Sequence, residues 1–96
     1  MHIISRKRLR EFSSQHKDAE KPLGAWYAIV TKMEFSSFAE IKMVFRTADK
    51  VGKFTVFDIG GNKFRLITAI HYNRKKIYIR DVLTHSEYDE DAWKER

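Results

Sequence analysis

Residues 56–89 read VFDIGGNKFRLITAIHYNRKKIYIRDVLTHSEYD, and the fold turns on this stretch. β-Branched and aromatic residues gather into three runs, Phe54 to Ile59, Lys63 to Tyr72 and Lys76 to Leu83, with the period of two that marks strands. Gly60, Gly61 and Asn62 tolerate positive φ and predict a tight turn, and Asn73-Arg74-Lys75-Lys76 supplies a second. Thr84 with Glu87, or Ser86 with Asp89, has capping-box spacing for a last short helix ending near Trp93. A turn centred on Arg74-Lys75 sets Tyr72 opposite Ile77 and Ala69 opposite Arg80. Phe64, Leu66, Thr68 and Ile70 then share one face with Ile77 and Ile79. Arg65, Ile67, Ala69 and His71 share the other with Tyr78, Arg80 and Val82. A one-residue slip would break this agreement.

Upstream, His2, Ile3 and Ile4 predict a short first strand. Ser5 can cap a helix expected to begin Arg6-Lys7-Arg8-Leu9-Arg10, which carries only Leu9 and Phe12 as an apolar stripe. Its cations sit where the helix dipole disfavours them, which fits either a solvated face or a phosphate-contacting one. Gln15 to Lys21 predicts a turn, and Pro22 suits a first helical turn. Leu23, Trp26, Ile29, Val30 and Met33 recur at helical spacing and are expected to bury one face. Ser37 and Glu40 form a capping-box pattern before Phe38, Ile41, Met43, Val44 and Phe45, and Arg46 to Lys53 reads as a loop. The order β-α-α-(α)-β-β-β-α predicts one α+β domain over residues 1–96, with helices packed on a mainly antiparallel sheet.

The 96 residues carry 19 Lys and Arg against 13 Asp and Glu, a net charge of +6. That surplus favours a polyanionic partner through counterion release, and equally suits a basic soluble surface or an acidic protein partner. The absence of cysteine excludes disulfides, thiolate nucleophiles and cysteine-based zinc sites. No apolar run approaches the ~20 residues of a membrane span. The opening MHIISRKRLR reverses the charge order of a secretory signal, so a cytoplasmic protein is expected. No histidine or carboxylate cluster has metal-ligand spacing, and neither metal nor cofactor is expected. Gly60-Gly61 is a turn signal without a following helix, and a serine nucleophile elbow is missing.

The remaining chemistry lies along the C-terminal strands. A guanidinium matches two phosphate oxygens with a fixed fork, so Arg65 and Arg80 are candidates to hold a phosphodiester. A structural ion pair is the competing reading for Arg65, with Asp58 on the same face. His85 starts the last helix, whose N-terminus favours the neutral ring a general base needs; a solvent-facing histidine is the alternative. Tyr88, one turn on, can stack, donate a proton, or seal the helix against the sheet.

Together these residues closely resemble the signature of HigB-type toxins of the RelE-like toxin–antitoxin superfamily. The GGNKFRL turn and strand, the Tyr78-Ile79-Arg80 strand and the Thr84-His85-x-Glu87-Tyr88-Asp89 close carry the resemblance. It extends to the MHIIS start and the Trp26-Tyr27 helix. The resemblance implies a ribosome-linked mRNA endoribonuclease that inhibits translation, with Arg65, Arg80, His85 and Tyr88 catalytic. It implies RNA contacts at Lys53, Asn62, Lys63 and Lys76. It also implies a cognate HigA-like helix-turn-helix antitoxin, through which the pair reaches operator DNA. The mechanism expected is metal-independent attack of a ribose 2′-OH on the adjacent phosphorus. The rival expectations are a non-catalytic RNA- or ribosome-binding module, and an inactive toxin acting in operon regulation.

Overall fold

A computed structural model describes residues 1–95 of the chain. Nine regular elements follow in order: β1 (His2–Ile4), α1 (Arg6–Gln15), α2 (Glu20–Lys32), α3 (Phe38–Val44), β2 (Asp49–Val51), β3 (Phe54–Ile59), β4 (Phe64–His71), β5 (Lys76–Thr84) and α4 (His85–Asp89). The strands form one sheet in the order β1-β5-β4-β3-β2, antiparallel throughout except where β1 runs parallel to β5. The α+β architecture expected from the sequence is therefore present, with one strand added. Residues 46–53, read as a loop, contain β2, which folds back on β3 across Gly52 at φ 59°. Asp49, Lys50 and Val51 lack the apolar alternation that reveals a strand, because an edge strand needs to bury little.

Two cores lie on opposite faces of the sheet. On the helix side, Leu23, Trp26, Val30, Phe35 and Ile41 pack on Phe57, Leu66, Ile77 and Ile79. Phe57 sits edge-on to both Trp26 and Phe45, at 5.3 and 5.1 Å. On the other face a smaller cluster joins Phe54, Val56, Ile67 and Leu83 to Trp93, with Tyr88 packed beside it. The helical stripes are narrower than their spacing implies. Ile29 and Met33 are 42% and 37% exposed, and Met43 is 79% exposed. These residues flank the stripe, and α3 is too short to press a second turn onto the sheet.

The β4–β5 register departs from the one expected. The connection holds four residues, with a 3-10 turn at Tyr72–Arg74 and Lys75 left-handed at φ 55°. Ala69 consequently faces Tyr78, and Ile70 faces Ile77. The slip is of two residues, so face assignments near the turn survive. Farther on, Thr68 pairs with Ile79 but Ile67 pairs with Asp81, leaving Arg80 as the extra residue of a β-bulge. Beyond the bulge the alternation inverts. Val82, expected beside Arg65, joins the helix-side core, and Leu83 takes the place opposite Arg65.

The C-terminal segment also differs in detail. Thr84 and Glu87 make the reciprocal capping box of α4. The helix ends at Asp89; Asp91 at φ 61° breaks the path before a 3-10 turn at Ala92–Glu95 that lays Trp93 on the sheet. Segment 15–21, read as a turn, holds a 3-10 turn at Lys17–Ala19 and the first residues of α2. None of the described helices is long and apolar enough to cross a membrane.

Candidate active site

The site begins with the β3–β4 turn. Gly60 and Gly61, at φ 64° and 70°, let the chain reverse within four residues, a conformation costly for any side chain with a Cβ. The reversal sets Asp58 directly opposite Arg65 and curls Asn62 back over it. Arg65 is only 8% exposed, and a guanidinium so placed requires acceptors around it. Its Nε donates to Asp58 Oδ1 at 3.1 Å. One terminal nitrogen donates to the carbonyls of Asn62 and Phe64 at 3.3 and 3.1 Å. The other donates to Asn62 Oδ1 at 2.6 Å and meets His85 Nδ1 at 3.0 Å. Five partners thus match the five N–H bonds of the fork.

His85 arrives from the adjoining strand end. Its backbone N–H donates to the Lys63 carbonyl at 3.0 Å, tying the start of α4 to the same turn. Because a guanidinium can only donate, His85 Nδ1 must accept. The ring proton therefore lies on Nε2, 3.0 Å from Asp89 Oδ2 one helical turn away. Arg65, His85 and Asp89 form a hydrogen-bonded chain that fixes the tautomer and the plane of the imidazole.

Tyr88 closes the cluster. The Arg65 guanidinium carbon lies 5.5 Å from its ring centroid, within cation–π range. Trp93 also stacks on this ring at 5.0 Å and donates its indole N–H to the Tyr88 carbonyl at 3.0 Å. Burial raises the Tyr88 phenol above its ordinary pKa, with repulsion from Asp49 adding to the effect and Arg65 opposing it. The hydroxyl stays protonated at neutral pH, able to donate a proton.

Of the four residues grouped from the sequence, Arg65, His85 and Tyr88 converge and Arg80 stands apart. The bulge holds Arg80 roughly 10 Å along the sheet from Arg65, with its guanidinium over the Phe54 ring at 5.9 Å. Its carbonyl accepts from Arg8 of α1 at 2.8 Å. Among the expected RNA contacts, Lys53 lies on this side, 5.4 Å from the Phe54 ring. Asn62 is occupied with Arg65. Lys63 pairs with Asp18 at 3.4 Å. Lys76 pairs with His71 at the far end of β4, about 20 Å along the strand from Arg65. Asp89 was not singled out as a site residue from the sequence, although its i,i+4 spacing from His85 is the available signal.

Comparison with known proteins agrees with the sequence signature. Residues 19–91 match the model of the HigB toxin family, described as the RelE-like toxic component of a toxin–antitoxin system. The chain is 33% identical over 92 residues to the mRNA interferase toxin HigB of Escherichia coli K12, an alignment covering 93% of this chain and 88% of that protein. The mRNA interferase HigB of Shigella flexneri aligns at the same identity and coverage. That of Escherichia coli O6:H1 is 29% identical, over 93% of this chain and 89% of its own length. With a family match across most of its length and relatives that align nearly end to end, the chain belongs to the HigB family of RelE-like toxins.

Proposed function

We propose that this protein is an mRNA endoribonuclease, the toxin of a toxin–antitoxin pair, and that the Arg65–His85–Asp89 chain beside Tyr88 is its catalytic centre. The observation that carries the reading is the His85 geometry. Its Nδ1 lone pair is aimed at a guanidinium, and its Nε2–H is held by a carboxylate. A phosphate oxygen arriving at Arg65 would replace Nδ1 as acceptor of that N–H bond. Nδ1 then takes the proton of the ribose 2′-OH, and Asp89 stabilises the imidazolium. The 2′-oxygen attacks phosphorus and the bond to the 5′-oxygen breaks, with Tyr88 donating a proton to the departing oxygen. The products are a 2′,3′-cyclic phosphate and a 5′-hydroxyl, and solvent returns the protons. Arg65 neutralises charge on the pentavalent phosphorane, while Arg80 with Lys53 holds the adjoining strand.

Relatives named mRNA interferases support the substrate, and the +6 net charge suits it. No metal enters this mechanism: proton transfer falls to His85 and Tyr88, and charge stabilisation to Arg65. Cleavage is expected on ribosome-bound message, because acid–base action contributes about 10²–10⁴-fold and positioning must supply much of the rest. The partner expected to silence the toxin is a HigA-like helix-turn-helix antitoxin, which would carry the complex to operator DNA.

The saturated fork of Arg65 favours one rival reading, a non-catalytic module in which Arg65 is purely structural. Primer extension on a defined message in a translation extract separates the two. Wild type is expected to produce discrete new 5′ ends that disappear in His85→Ala and Arg80→Ala and on message carrying a 2′-deoxy at the cut site. Arrested translation with intact message would favour the binding module.

A further inference from the structure

The bulge at Arg80 opens onto a second feature that the acid–base cluster does not use. Beside Arg80 lies a groove of about 440 Å³ on the same sheet face, within the range of small-ligand sites. Its walls come from three separated segments: Arg8 of α1, Lys53 and Phe54 at the β2–β3 hairpin, and His71, Tyr78 and Arg80 on β4 and β5. The cations stand toward one side. At the other, the His71 and Tyr78 rings meet edge to face at 5.0 Å, with His71 exposed and Tyr78 half-buried. Folding requires neither ring there, because the core on this face is made by Phe54, Val56, Ile67, Leu83 and Trp93.

We propose that this groove binds one nucleotide of single-stranded RNA flanking the scissile phosphate, its phosphate among Arg8, Lys53 and Arg80 and its base against His71 and Tyr78. The combination of a cationic track with accessible aromatic faces is the one that unpaired nucleic acid needs, since every base offers a π-face to stack. An acidic peptide would use the cations and leave the rings without a purpose. The distance fits as well. Arg80 lies roughly 10 Å and His71 roughly 20 Å along the sheet from Arg65, so an extended strand crossing Arg65 brings a nucleotide one or two positions from the scissile phosphate into the groove. The bulge is what makes the connection, since it turns Arg80 toward the groove while leaving Arg65 in the catalytic cluster. The inference rests on the ribonuclease reading and adds to it the place where the neighbouring base is read.

The test uses the full chain and a fluorescent single-stranded RNA made uncleavable by 2′-deoxy substitution, with affinity read by anisotropy and KM and kcat read separately on cleavable message. Tyr78→Ala is expected to weaken binding about tenfold, as loss of one stacked base does, with the loss falling on KM. Tyr78→Phe keeps the ring and is expected to restore that affinity. Lys53→Gln is expected to lower the slope of log affinity against log salt by about one. Wild-type affinity and KM in Tyr78→Ala would overturn the proposal. So would failure of the wild type to bind the oligonucleotide, or a Tyr78-dependent preference for an acidic peptide over RNA. Should wild type bind RNA through Tyr78 yet leave message intact, the groove assignment stands and the ribonuclease reading fails.

Discussion

Replacing Asp58 by asparagine tests whether the electrostatics around Arg65 hold the site together. The carboxylate meets Arg65 Nε at 3.1 Å, with side-chain exposures of 25% for Asp58 and 9% for Arg65. A charge-assisted hydrogen bond contributes about 1.5–3 kcal/mol, roughly twice a neutral one. Asparagine retains one acceptor oxygen and loses the charge, so Asp58→Asn is expected to cost about 1–1.5 kcal/mol. At about 4–8 °C per kcal/mol for a domain of this size, the melting temperature falls by roughly 4–12 °C. Asp58→Ala, which leaves a buried guanidinium N–H without an acceptor, is expected to cost about 3 kcal/mol. Circular dichroism during heating and urea titration gives both values. A double-mutant cycle with Arg65→Met then isolates the pair, and Asp58→Asn is expected to cost much less once the guanidinium is gone. An Asp58→Asn melting temperature within about 1 °C of wild type, or an equal loss in the Arg65→Met background, would refute the reasoning.

Nitrogen–proton correlation spectra are expected to show His85 protonated on Nε2; a proton on Nδ1 would contradict the Arg65 contact. Asp89→Asn is expected to lower kcat about tenfold, a modest part of the range for general acid–base action because the pair is largely exposed. An unchanged kcat would remove Asp89 from the mechanism. Tyr88 and Tyr72 both have phenols raised above 10.0 by burial. A raised folded-state value means their contribution to stability is intact below pH 10.0 and is lost as pH climbs through the folded values. Urea midpoints are accordingly expected to drop in strongly alkaline solution, and to drop less in Tyr88→Phe. An alkaline loss identical in that variant would show that Tyr88 titrates normally.

The parts of this fold that were legible in the sequence are those set by neighbours along the chain. Alternation through Phe64–Ile70 named the two faces of β4, and the paired glycines located the turn that brings Asp58 to Arg65. Capping-box spacing located the start of α4, offering Thr84–Glu87 or Ser86–Asp89, and the structure uses the first, which delivers His85. Ile29, Met33 and Met43 misled because periodicity marks which residues could be buried, while only the packed neighbours decide which are.

For this protein the chain alone determined β1, the three long strands, the glycine turn, the α+β class and the resemblance that names the family, since each depends on short-range pattern, while the edge strand β2 carried no such pattern. Tertiary structure decided the bulge at Arg80 and the inversion of Val82 and Leu83, because register is a competition between whole strands and their packing. It also decided the partners of Arg65. Five donors find acceptors from Asp58, Asn62, Phe64 and His85 only after β3, the turn, β4 and α4 have come together. A buried guanidinium takes whichever acceptors surround it, and a sequence does not state what will be within 3 Å.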